Sequence, residues 1–114
     1  MTRFVHPDID SLKLETVLYA LGDPIRLCIV RSLACQAELP CHASVSTLDI
    51  AKSTQSHHFR ILREAGIIRT RKEGVAYLSC LRKDELDARF PGLLDAVLAN
   101  ATATVACNAG SVGK

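Results

Sequence analysis

This 114-residue chain is notable first for what it does not contain. No apolar run approaches the roughly 18–20 residues that a membrane span needs. Met1 to Asp8 holds no apolar stretch behind a basic start, so no secretory signal is expected and the cytoplasm is the expected compartment. There is no nucleophile–base–orienter set, no Gly-rich phosphate loop and no His-Glu metal motif, so an enzyme is not expected. No internal repeat is present, and low complexity is confined to a small-residue tail. The five cysteines are odd in number, which argues against a disulfide scaffold. They are left as buried spacers, metal ligands or redox-reactive thiols.

What is present suits one domain, spanning residues 1–114. Hydrophobic residues make up 48% of the chain and charged residues 23%, which supports a real core and does not read as disorder. A chain this short buries only about 60–70% of its unfolded surface, which makes a lone monomer marginal and favours a dimer.

The net charge of +2 is uninformative, but its distribution is not. Between Lys52 and Lys83 lie eight basic residues, opposed only by Glu64 and Glu73, so this segment carries +6. The remainder holds six basic and ten acidic residues and carries −4. A basic segment in an otherwise acidic chain is the footprint of a polyanion-binding surface, or else a solvated face with unbalanced charge.

Local signals divide the chain into short elements. Leu14, Val17, Leu18 and Leu21 recur at helical spacing, which predicts a first helix over 10–21 ended by Gly22. Asp23 as N-cap and Pro24 at the first helical position open a second helix over 24–35, with Ile25, Cys28, Ile29, Ser32 and Leu33 on one face. Pro40 stops any continuation. Ala43 to Ile50 reads as a short third helix. Ser53 is a further N-cap candidate, for a helix over 53–65 stopped by Gly66.

On that helix, Gln55, His58, Phe59, Leu62 and Ala65 point one way. Ser53, Ser56, His57, Arg60 and Glu64 point the other way, flanked by Arg63. Ile67 to Lys72 and Val75 to Leu81 are β-rich runs around Glu73-Gly74, a hairpin. A helical stretch follows over 84–107, interrupted at Pro91 and carrying a stripe of Phe90, Leu94, Val97, Ala101 and Val105. Residues 108–114 are expected to form a flexible tail.

This order is mainly α with a β-hairpin wing, a winged helix-turn-helix. Such a unit lays its exposed helix in the major groove of double-stranded DNA, where each good bidentate contact discriminates by about 1–3 kcal/mol. The expected duplex contacts are Lys52, Ser53, Thr54, Gln55, Ser56, His57, Arg60 and Arg63. Gln55 is included although its spacing turns it inward. Arg69, Arg71 and Lys72 of the wing are expected on phosphates, which give affinity without sequence information. His57 is read as a DNA contact and His58 as packing, because adjacent helical side chains diverge by about 100°.

The run Leu21-Gly22-Asp23-Pro24-Ile25-Arg26-Leu27 resembles the start of the second helix in the ArsR/SmtB family of bacterial winged-helix repressors. Ser56-His57-His58-Phe59-Arg60-Ile61-Leu62-Arg63-Glu64-Ala65-Gly66 is similar to that family's recognition-helix signature, and Arg71-Lys72-Glu73-Gly74 to its wing tip. The resemblance spans residues 15–82. It implies a homodimer joined through its first and last helices (8–21 and 84–107), two recognition helices on one operator, and repression relieved by a small inducer of unknown identity.

The cysteines bear on that inducer. Many members of the family carry a Glu-Leu-Cys-Val-Cys element for arsenite or a metal. Here the run is Glu38-Leu39-Pro40-Cys41-His42, with both motif cysteines replaced and Cys41 between them. A second family metal site uses Asp and His pairs on the last helix, and histidine occurs here only at 6, 42, 57 and 58. No metal site and no cofactor are therefore expected, and an arsenite or metal response at Cys41 is the alternative.

Some relatives join a second-helix cysteine to a last-helix cysteine on oxidation. The resemblance points loosely to Cys35 and Cys107, because the relatives' second-helix cysteine aligns with Arg31. Cys35 and Cys41 also flank one loop and can pair if their Cα atoms lie within about 7 Å. Thiol oxidation or polysulfide at Cys35, Cys41 and Cys107 is thus the expected inducer chemistry, with Cys28 and Cys80 read as core spacers. A winged-helix protein-interaction module that does not bind DNA is the rival reading.

Overall fold

The computed structural model describes residues 6–35, 39–40 and 50–101. After a single 3-10 turn, Ile9–Ser11, the first helix, α1, is Leu14–Leu21, shorter than the expected 10–21. The reason is local. Leu12 and Lys13 are extended, with ψ near 139° and 135°, and Leu12 turns into the core at 3% exposure instead of continuing a helix.

Helix α2, Pro24–Cys35, starts as its sequence requires. The Asp23 carboxylate accepts the N–H groups of Ile25 at 2.9 Å and Arg26 at 3.1 Å, satisfying two otherwise orphaned donors. Its buried face carries Cys28, Ile29, Ser32 and Leu33. The Ser32 hydroxyl donates to the Cys28 carbonyl at 3.0 Å, which removes the cost of burying it.

A two-residue strand, β1 (Leu39–Pro40), follows, with no counterpart in the sequence signals. It pairs antiparallel with the wing, Leu39 opposite Ser79 and Pro40 opposite Leu78, at a sheet edge where proline's missing donor is tolerated. The expected helix over Ala43 to Ile50 lies outside the described residues except for Ile50.

Helix α3 is Lys52–Glu64, with Ala51 rather than Ser53 at the N-cap position. The helical ladder already begins with Gln55 N–H to Ala51 C=O at 3.0 Å, so Ser53 lies inside the helix. Its end matches the sequence signal. Gly66 takes φ +84°, its N–H reaches Arg63 C=O at 3.0 Å and Ile67 N–H reaches Leu62 C=O at 3.0 Å, a Schellman closure.

The wing consists of β2 (Ile68–Glu73) and β3 (Ala76–Leu81), in register from Ile68–Leu81 to Glu73–Ala76. Only Gly74 of the two-residue loop has positive φ, +63°, the pattern of a type II′ turn. The sheet order is β1-β3-β2, which leaves β2 at one edge. The last stretch is split by Phe90–Gly92 into α4 (Lys83–Arg89) and α5 (Leu93–Asn100). Ala101 is already extended, and Val105 and Cys107 lie outside the described residues.

One core joins these elements: Leu12, Val17, Leu21, Ile29, Leu33, Phe59, Leu62, Ile67, Ile68, Leu86 and Leu94 are all buried. Among the described residues no helix is long and apolar enough to cross a membrane.

The turn after α3 yields a stability prediction. A Cβ at Gly66 would lie 2.2 Å from Cδ2 of Leu12, and its φ is unfavourable for any L side chain. Gly66→Ala is expected to lower unfolding free energy by about 2 kcal/mol or more, read as a reduced urea midpoint at unchanged slope.

Candidate nucleic-acid interface

Helix α3 has two unlike sides. His58, Phe59, Leu62 and Ala65 are buried against α1 and α2, as their spacing implies. Lys52, Ser53, Ser56, His57, Arg60 and Glu64 are exposed along the opposite side. Thr54 and Arg63 lie at the flanks, half-buried. Gln55 faces inward as its spacing indicates, and its amide donates to the Ile50 carbonyl at 3.2 Å. The outer side therefore offers hydroxyls, an imidazole and a guanidinium on a straight rod, the shape and chemistry that a major groove accepts.

The wing is less positive than its sequence implies. Its expected phosphate-binding residues Arg69, Arg71 and Lys72 are all exposed. Arg69, however, pairs with Glu85 at 3.2 Å and Arg71 pairs with Glu73. Lys72 stands over the Tyr77 ring, 5.8 Å from its centroid. Two other members of the basic segment serve structure. Arg82 is 4% exposed and donates to Glu85 at 2.7 Å and to the Pro7 carbonyl at 2.9 Å. Lys83 bridges Asp87 at 2.7 Å and Asp95 at 3.3 Å. Acids from α4 and α5 thus offset much of the +6, and Lys52 and Arg60 engage no acidic side chain among the described residues.

These pairings leave their mark on titration. The hydrogen bond from Arg82 holds the Glu85 carboxyl below its ordinary value. Hydrogen bonds to Asp87 and Asp95 raise the Lys83 ammonium.

Two histidines lie behind the interface and are hydrogen-bond acceptors. His6 Nε2 accepts the backbone N–H of Thr70 at 3.0 Å, satisfying a donor on the outer edge of β2. His58 Nδ1 lies 3.1 Å from Arg26 Nη1, and since a guanidinium only donates, the imidazole accepts. Both pKa values fall below the ordinary histidine value, chiefly through burial. Arg69, Arg82 and Arg63 add to the effect at His6. At His58, Asp23 opposes it while Arg26 and His57 add to it. Packing at His58 follows from spacing, but its bond to Arg26, 32 residues away, and the role of His6 have no local signal.

Of the cysteines, Cys28 is 2% exposed as expected of a core spacer, yet it is disulfide-bonded rather than a plain buried thiol. Cys80 is free and half-buried in β3. Cys41, Cys107 and the side chain of Cys35 lie outside the described residues. Among the described residues no group of three or more His, Cys, Asp or Glu side chains could hold a metal ion.

The accepting histidines imply a pH dependence of stability. Folding lowers both pKa values, so below about pH 6.5 the unfolded chain binds more protons than the folded one. Stability is expected to be level above that pH and to fall as pH drops from about 6.5 towards 5.5. Urea unfolding at the two limits checks this, and the His6→Gln, His58→Gln double variant is expected to lose most of the difference.

Comparison with known proteins agrees with this geometry. The sequence profile described as "Bacterial regulatory protein, arsR family" matches residues 23–70, from the α2 cap to the middle of β2. The chain is 39% identical over 80 residues to the uncharacterized HTH-type transcriptional regulator YceK of Bacillus subtilis, covering 69% of this chain and 80% of that protein. It is 39% identical over 62 residues to the uncharacterized HTH-type transcriptional regulator MJ1325 of Methanocaldococcus jannaschii, covering 54% of this chain and 70% of that protein.

Among solved structures, the ArsR family transcriptional regulator RHA00566 superposes with a TM-score of 0.61 at 26% identity, over 75% of this chain and 88% of that one. The transcriptional repressor BigR from Xylella fastidiosa superposes with a TM-score of 0.55 at 25% identity, over 68% and 85% of the two chains. With the outward rod of α3, the wing beside it and these likenesses together, the chain belongs to the ArsR family of winged-helix transcriptional regulators.

Proposed function

We propose that this regulator is a homodimeric repressor that reads an operator with the outer side of α3 and releases it when an inducer acts at cysteine. The observation that carries the reading is the division of α3 into a buried apolar stripe and an exposed stripe of Ser53, Ser56, His57 and Arg60. Ser56 and His57 read base edges, Lys52, Arg60, Arg63 and Lys72 meet phosphates, and Thr54 flanks them. Arg69 and Arg71 join the phosphate contacts by exchanging Glu85 and Glu73 for the duplex. Gln55 contributes indirectly, by holding the chain before α3.

Dimerisation through the first and last helices is supported by α1. Its Leu14, Leu18 and Tyr19 are 45%, 46% and 65% exposed, an apolar side of the kind that a second copy would cover. A tail over 108–114 plays no part in this reading. The disulfide at Cys28 supports sulfur chemistry as the inducing event, with Cys35, Cys41 and Cys107 as the other cysteines that take part.

Selection of bound duplexes from a random pool tests DNA reading directly. Recovery of one enriched, two-fold symmetric sequence is the expected result, and no enrichment would defeat the proposal. On that sequence Ser56→Ala and His57→Ala are each expected to weaken binding by about 1–3 kcal/mol while sedimentation still shows a dimer.

Glu73→Gln is expected to tighten binding to every duplex alike and to steepen its salt dependence, since it removes a negative charge paired with Arg71 beside the phosphates. Oxidant or polysulfide is expected to release the duplex and reductant to restore it. A protein with Cys28, Cys35, Cys41 and Cys107 all changed to Ser should bind duplex indifferently to either reagent, and an unaltered response would remove cysteine from the mechanism.

A further inference from the structure

His58 sits where three elements meet. Arg26, from α2, reaches across to it with Nη1 and holds the end of α1 with its other nitrogens, donating from Nε to the Ala20 carbonyl at 2.8 Å and from Nη2 to the Tyr19 carbonyl at 3.4 Å. Its guanidinium also lies over the exposed Tyr19 ring, 5.2 Å from the centroid. Arg26 is itself 6% exposed, so this is a built polar junction and not a surface pair. Asp23 Oδ2 stands 3.9 Å from the same Nδ1, too far for a hydrogen bond. One ring nitrogen thus faces a donor it touches and an acceptor that it does not.

We propose that His58 is a two-position latch for the recognition helix: neutral, its Nδ1 accepts from Arg26; protonated, its Nδ1–H turns to Asp23 and Arg26 lets go. The proton comes from solvent and stays on Nδ1, because guanidinium does not deprotonate in proteins. The charged and titratable groups facing the imidazole are Asp23 before α2, Arg26 in α2 and His57 in α3, and from α1 the Tyr19 and Ala20 carbonyls act through Arg26. Asp23 is fixed in place because it caps α2, so closing the gap by about 1 Å falls to the ring and the helix that carries it.

His57, the adjacent residue, is exposed on the reading side, so re-seating His58 re-aims it. Arg26 and His58 are positioning residues in this scheme. They hold α3 at the angle the duplex requires and also tie it to the exposed side of α1. This inference rests on the DNA-reading function proposed above.

Two measurements on the full chain test it. The first is 15N NMR of the imidazoles from pH 7.5 to 5.5. Expected is a bare, accepting His58 Nδ1 at the upper limit, with its protonation accompanied by shifts in the α3 amides. A His58 that carries its proton on Nδ1 at pH 7.5 would overturn the latch.

The second is fluorescence anisotropy with a labelled mixed-sequence 30-base-pair duplex at low salt, each variant normalised to its own affinity at pH 7.5. Relative to His58→Gln, whose amide oxygen accepts from Arg26 at every pH, the native chain is expected to lose about fivefold in affinity by pH 5.5. Asp23→Asn keeps a good cap but removes the receiving charge, and is expected to move the loss to lower pH. Superimposable profiles for the native chain and both variants would overturn the proposal. If no variant binds the duplex at pH 7.5, the DNA reading fails instead, and the NMR titration alone decides the latch.

Discussion

The seating of α3 is the constraint on which the molecule turns. Phe59, Leu62 and Ala65 must be buried for Ser53, Ser56, His57 and Arg60 to face outward, because one helix cannot present both stripes to solvent and keep its place. Leu62 is fully buried in one core with Ile29 and Ile67, and truncating such a side chain costs about 2–5 kcal/mol. The Schellman closure at Gly66 then sends the chain straight into β2, so the wing leaves from a fixed point. An exposed polar side and a flanking hairpin are one packing solution, not two.

Polar junctions refine what packing begins. Arg26 ties α1, α2 and α3 together through two carbonyls and one imidazole. Before α4 Arg82 does a similar job, reaching the Pro7 carbonyl, while Arg89 reaches the Leu12 carbonyl at 2.9 Å. Arg26 and Arg82 are buried cations whose heads find fixed acceptors, the circumstance in which a buried charge is tolerated. The consequence for function is electrostatic. Guanidinium groups spent on structure are not available to phosphate, and the effective positive surface is smaller than the count of Lys and Arg implies.

The sulfur chemistry also departs from a simple reading. Spacing places Cys28 on an apolar face with Ile25 and Ile29, and the residue is indeed buried. A cysteine in that setting behaves as a small hydrophobe unless a second sulfur meets it, and no periodicity within α2 reveals that second sulfur. The disulfide at Cys28 is therefore a tertiary fact.

Much of the fold was legible because its signals are local. The Asp23-Pro24 cap, the Gly66 stop, the inner and outer stripes of α3 and the glycine of the hairpin turn each depend on residues within a few positions of one another, although the turn itself is Gly74-Val75 and the strand expected from Val75 begins at Ala76. The start of α1 and the cap of α3 fall elsewhere than their local signals indicate; at α1 the reason is that Leu12 answers to core packing rather than to its neighbours in sequence.

What folding alone decided is which distant partners meet. It set β1 against β3, His6 against Thr70, Arg69 against Glu85 and Arg26 against His58. Those contacts join residues up to 64 positions apart, and their choice depends on the shape of the shared core, which no short window of sequence contains.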